Sequence, residues 1–129
     1  MFFNKAVSAG GSQYVDRGDP DTGWDFALGD LTTDDTWNDL DLSSIVPAGA
    51  VAVNLAIQIN DDISDSSIHF RKNGNINADT IISSRTQVAS IILEKSFIVG
   101  CDTDRIVEYN ANAVTWVTIN IMVLGWWIN

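Results

Sequence analysis

Residues 50–59, AVAVNLAIQI, alternate with a period of two. Val51, Val53, Leu55, Ile57 and Ile59 fall on one side, and Ala50, Ala52, Asn54, Ala56 and Gln58 on the other. This pattern predicts a strand whose aliphatic, mostly β-branched side meets a core, while its small side lets another surface come close. Pro47 and Gly49 punctuate the chain just before it. Residues 24–31 set Trp24, Phe26 and Leu28 against Asp25, Ala27 and Gly29, which predicts a half-buried strand. In residues 37–42, Leu40 and Leu42 point inward and Asp39 and Asp41 outward; in 67–72, Ile68 and Phe70 point inward and His69 and Arg71 outward. The Asn73-Gly74 pair that follows signals a tight hairpin. Further strands are predicted over 80–84, 87–94, 97–101 and 105–110. The last segment, 114–127, places Val117, Ile119, Ile121 and Val123 on one side and Trp116, Thr118, Asn120, Met122, Leu124 and Trp126 on the other.

About eight short strands, with no amphipathic helix and no internal repeat, predict an all-β fold: an antiparallel β-sandwich of jelly-roll type. Residues 1–23 contain Gly10, Gly11, Gly18, Pro20 and Gly23 and read as an irregular N-terminal arm, leaving residues 24–129 as a single sandwich domain. Phe2, Phe3 and Tyr14 on that arm require burial, on the protein's own sheet or on a neighbour. A solvated antiparallel sheet keeps one face polar, so Met122, Leu124 and Trp126 call for a second partner. Together these six residues form the candidate contact surface; the apolar C-terminal face and the small side of residues 50–59 point to a homo-oligomer.

A length of 129 residues suits one packed core, and a hydrophobic content of 46% argues against disorder. Seventeen acids against seven bases give a net charge of −10, which disfavours nucleic acid and anionic membrane as partners. The N-terminus turns polar too early for a signal peptide, and no apolar run reaches the length of a membrane helix. The lone Cys101 follows Phe97, Ile98 and Val99 and reads as a small core residue.

Catalytic chemistry finds little support. A Cys101–His69 nucleophile pair lacks a glycine-rich oxyanion context, and Glu94 and Glu108 lie on short strands rather than flanking a cleft. Calcium could use the aspartates of DRGDPD, NDDISD or CDTD, but none has the EF-hand spacing, and turn aspartates bond their own backbone. No metal or cofactor is therefore assigned. Arg17-Gly18-Asp19 matches an integrin-type tripeptide, too short to carry weight. A saccharide could stack on Trp37, Trp126 or Trp127. Trp37 with Asp61, Asp62 and Asp65 forms the candidate ligand loop.

Four segments in order carry a resemblance: VDRGDPDTGWDFALGDLTTDDTWNDLDLSSIVPAGAVAV, HFRKNGN, CDTDRIVEYN and VTINIMVLGWW. The chain resembles small bacteriophage and prophage virion surface β-sandwich proteins. These are trimeric decoration or cement proteins of the head, or receptor-binding tips of tail fibres. The resemblance implies a homotrimer on the virion's outer surface that clamps the major capsid protein lattice, with residues 1–23 reaching to a neighbour. It carries no catalytic residue. The absence of heptads, collagen-like repeats or a β-helical shaft favours the head over a fibre. The alternative is a tail-fibre tip that recognises a host surface glycan or protein.

Overall fold

The computed structural model describes residues 11–21 and 23–129. Among them are nine strands: β1 (Gln13–Asp16), β2 (Phe26–Ala27), β3 (Asn38–Asp41), β4 (Ala50–Asn60), β5 (Ser67–Lys72), β6 (Ile82–Arg85), β7 (Leu93–Gly100), β8 (Ile106–Ala111) and β9 (Thr118–Ile128). The first sheet runs β1–β9–β4–β7, with β2 also pairing to β9; the second runs β3–β8–β5–β6. Every pairing is antiparallel. From β3 onward the chain crosses between sheets at every connection except the β5–β6 turn.

The core lies between the two sheets. Val53, Leu55, Ile57 and Ile59 of β4 and Ile119, Ile121 and Val123 of β9 meet Leu40, Ile68, Phe70, Val107 and Tyr109 from the second sheet, all buried. This is the inner face that the period-two pattern predicts. Leu42 and Val46, in the turn after β3, extend it.

Two bulges interrupt the alternation. On β9, Val123 pairs with Leu55 and Gly125 with Asn54, so Leu124 is the extra residue. Beyond it the faces exchange: Trp126 pairs with core-facing Val53 and packs against the core, and Trp127 turns outward. The expectation that Trp126 shares the outer face with Met122 is thus corrected. On β4, Trp127 pairs with Ala52 and Ile128 with Ala50, which leaves Val51 as the extra residue. Ala50 is consequently buried and Val51 exposed, the reverse of the expected order.

Other expectations shift at the turns. Residues 24–31 hold only the two-residue β2 before a 3-10 turn at Leu28–Asp30, where the Asp30 carboxylate accepts the Ala27 N–H at 2.9 Å. Asn73-Gly74 makes a turn, closed by the Asn75 N–H donating to Lys72 O at 3.0 Å. Only Gly74 has positive φ there, as a type II turn needs, so no two-residue hairpin forms, and β6 begins eight residues later. Residues 87–94 are a loop as far as Leu93, because Ser90 takes a left-handed φ of 62° and its N–H donates to Asp61 O at 2.7 Å.

A strand lies within the segment read as the arm. Gln13–Asp16 forms β1 and pairs with residues 125–128 of β9. Phe2 and Phe3 lie outside the described residues. Between β1 and β2 the edge of β9 is sealed by side chains: Asp25 accepts the Val123 N–H at 2.8 Å, and Arg17 Nη1 donates to Val123 O at 3.1 Å. Arg17 and Asp25 also bind each other through two hydrogen bonds. The arginine of the Arg-Gly-Asp tripeptide is therefore committed internally.

Candidate functional site

An open groove of about 510 Å³ lies on the outer face of the first sheet, lined by Tyr14, Asn54, Ser96, Phe97, Ile98 and Trp127. Strand pairing assembles it. Tyr14 of β1 lies opposite Trp127 of β9, with ring centroids 4.6 Å apart and planes tilted by 50°. Asn54 of β4 forms the floor and its amide faces the Tyr14 hydroxyl at 3.5 Å, while Ile98 of β7 lies opposite Asn54. Gly125 makes room for the tyrosine: a Cβ there would lie 2.3 Å from the Tyr14 hydroxyl oxygen. Tyr14, expected as a capsid or subunit contact, packs on the protein's own first sheet. Met122 and Leu124, expected as exposed contacts, are half-buried, and the Met122 sulfur receives Arg17 Nη1 at 3.4 Å.

The outer face of the second sheet is polar. Arg71 stacks over Trp37, its guanidinium carbon 3.9 Å from the ring centroid, and its Nε donates to Glu108 at 2.6 Å. Trp37 is therefore covered by its neighbour's guanidinium on one side. His69 sits between Ser83, 2.6 Å from Nδ1, and Ser67, 3.2 Å from Nε2. Cys101 is buried elsewhere, its thiol 3.6 Å from Ala50 O and its pKa raised by burial. The two do not form a nucleophile–base pair.

Burial, then the nearby Arg85 charge, lowers the His69 pKa below the ordinary imidazole value. The unfolded chain then binds the extra proton first, so this group's contribution to stability is complete above about pH 6.5 and is lost as pH falls through the lower folded-state value. His69 is the chain's single histidine. The thermal midpoint should therefore fall, with a slope below one proton, as pH is lowered from neutral through the ordinary imidazole value, and His69→Gln should flatten that segment of the profile. A slope unchanged in the variant would assign it to other groups.

The aspartate loops serve turns. Asp61 is buried and accepts from the Ser66 hydroxyl at 2.5 Å and the Asp62 N–H at 2.8 Å. Asp65 pairs with Arg85 at 2.9 Å on the surface, and Asp62 is exposed. The loop does not include Trp37, which lies on the second sheet's face beside Arg71. Asp102 is partly desolvated, yet hydrogen bonds from the Ile106 N–H, Asn73 and the Asp104 N–H hold its pKa below the usual carboxylate range. Hydrogen bonds from Thr36 and Asn38 do the same for Asp34, and the Ser43 N–H for Asp41. Among the described residues, no three His, Cys, Asp or Glu side chains converge as a metal site would need.

The residues that sequence reasoning missed lie at one end of the sandwich. Ile63, Val88, Ile91, Ile92 and Val117 are each half or more exposed. Backbone bonds bring their loops together around the end of β4: Val117 N–H donates to Asn60 O, Ser90 N–H to Asp61 O and Asp65 N–H to Thr86 O, while Thr86 Oγ1 donates to Ile63 O. Leu93 pairs with Ile59, which places Ile92 beside Asn60. Reading 87–94 as a strand hid three of the five, because a strand would have turned alternate ones inward. The signal available was the Ala89-Ser90 step inside an otherwise apolar run. No protein-family model matches the chain, and no curated protein is found similar to it.

Proposed function

We propose that this protein is a non-enzymatic structural component of a bacteriophage virion: a jelly-roll module, trimeric, that sits on the outer surface of the head and binds the major capsid protein lattice. The jelly-roll reading is supported by the two strand orders: among the described residues the first and last strands are neighbours, and from β3 onward every connection but β5–β6 crosses between sheets. The resemblance of the segments between Val15 and Trp127 supports the virion role.

The observation that carries the attachment is the apolar end. Five β-branched side chains gathered on loops of a strongly acidic chain form a patch of the kind that marks protein–protein contact. Their apolar character suits a protein partner, and water would not select it. The patch takes over the role first given to Met122, Leu124 and Trp126, which are half-buried.

The test is add-back to particles that lack the protein. Val88→Asp with Ile91→Asp changes two exposed loop residues and should leave the fold intact while reducing particle occupancy at least about tenfold, the effect of losing roughly 1.4 kcal/mol of contact. Labelled-antibody electron microscopy should place the unaltered protein over the head. Full occupancy by the double variant would remove the patch from the attachment, and label confined to the tail tip would replace the head role with receptor binding.

A further inference from the structure

We infer that the outer groove of the first sheet is a binding site for a neutral saccharide. Its lining contains no charged side chain, although the chain carries 24 charged residues and a net charge of −10. Its polar side-chain groups are an amide (Asn54), two hydroxyls (Tyr14 and Ser96) and the Trp127 indole N–H; the amide and hydroxyls exchange hydrogen bonds with sugar hydroxyls as donor and acceptor alike, and the indole donates. An anionic ligand would meet no compensating cation there. A cationic one would meet no carboxylate.

The aromatic pair supplies the second half of the recognition. Tyr14 and Trp127 come from adjacent strands and are tilted by 50°, so they offer two ring faces at an angle, and Tyr14 is 43% exposed. The C–H faces of a pyranose stack on such rings, while its equatorial hydroxyls reach the strand-borne amide. Ile98, itself exposed, closes the far side on β7. The volume of about 510 Å³ falls within the range of small-molecule clefts and leaves room for one or two sugar rings. The groove is built rather than incidental: Gly125 is the position that lets Tyr14 lie against β9, and β1 exists as a strand only through that edge. This inference does not depend on whether the protein sits on a head or a tail.

The probes are methyl glycosides of glucose, galactose, mannose and N-acetylglucosamine and their β-linked disaccharides, read by saturation-transfer NMR and tryptophan fluorescence on the whole chain. Saturable binding in the millimolar range is expected for at least one, with transfer concentrated on one sugar face. Trp127→Ala should abolish it. Asn54→Ala should weaken it roughly tenfold or more, by loss of a hydrogen bond and of its satisfied partner. That variant guards against a folding artefact, since Ala52 and Ala56 already hold the equivalent outward positions on β4. No saturation with any probe, or binding unchanged in folded Asn54→Ala and Trp127→Ala proteins, overturns the assignment. Virion occupancy in the add-back assay is a separate readout, so failure here leaves the attachment proposal where it stands.

Discussion

Arg17→Ala should destabilise the protein by about 3–5 kcal/mol in chemical denaturation, the effect of stranding one partner of a buried ion pair. The Asp25 side chain is only 5% exposed and its partner 16%. Removing the guanidinium leaves that carboxylate desolvated with only the Val123 N–H as donor, and orphans the Val123 carbonyl as well. Arg85→Ala is the matched control. Arg85 and Asp65 are 47% and 74% exposed, and an ion pair in water contributes about 0–1 kcal/mol. A difference between the two variants of less than about 1 kcal/mol would mean that water enters the seam and screens the Arg17–Asp25 pair. The loss in Arg17→Ala should also be local in its first stage. Hydrogen exchange should show β1 and the 122–124 edge of β9 opening before the sheet, because Arg17 is the link between them: its own N–H donates to Leu124 O at 3.0 Å.

Replacing both partners by apolar residues separates the charge from the seam. In a buried pair without further duties, such a replacement is often neutral. Here Asp25 also accepts a backbone N–H that no strand takes up, since β1 pairs with β9 from Gly125 onward and β2 stops at Ile121. Arg17→Met with Asp25→Leu should therefore remain destabilised by about 1–3 kcal/mol, the cost of an unsatisfied buried amide. Full recovery would show that the bulge closes by itself.

The inner faces of β4, β5, β8 and β9 as far as Val123 are legible in the sequence because period-two alternation depends only on the chain itself. The bulges are not. Whether Leu124 is passed over depends on its register with Leu55 and Asn54, sixty-nine and seventy residues away, and one slipped residue exchanges every face beyond it. The same limit hid the groove. Trp127 is visible as an aromatic residue, but only the swap at Leu124 sends it outward, and only β1 places Tyr14 beside it. The glycines around Gln13–Asp16 masked a short edge strand whose Tyr-Val pair has good strand propensity. In the acidic loops the physics ran the other way: aspartates bonded to nearby backbone, as Asp61 and Asp102 are, were legible from turn chemistry alone. The seam joins Arg17 and Asp25, eight positions apart in the chain, and no periodicity records it.

Gly125→Ala should detach β1 from the sheet and lower stability by about 1–3 kcal/mol, the usual cost of forcing atoms into a packed site. The added methyl carbon would lie 2.3 Å from the Tyr14 hydroxyl oxygen, 2.5 Å from its Cζ and 2.5 Å from the Val15 carbonyl oxygen. Tyrosine alone could rotate away. The Val15 carbonyl cannot, because it belongs to the strand that pairs Val15 with Trp126. Either β1 moves or the pairing breaks, and in both cases the Tyr14–Trp127 contact is lost. Hydrogen exchange at residues 13–16 should therefore accelerate, and the tryptophan emission should shift to the red as Trp127 gains water. The core should be untouched, since Val123 and Ile121 lie on the other face. If the emission and exchange match the unaltered protein, the sheet accommodates a methyl at 125 and Tyr14 packs against β9 by preference rather than through the space that glycine leaves. If they change as expected while the fold persists, the same variant should lose saccharide binding without any substitution in the groove lining. That result would show that the site is made by the approach of β1 to β9 and that its affinity depends on an edge strand only four residues long.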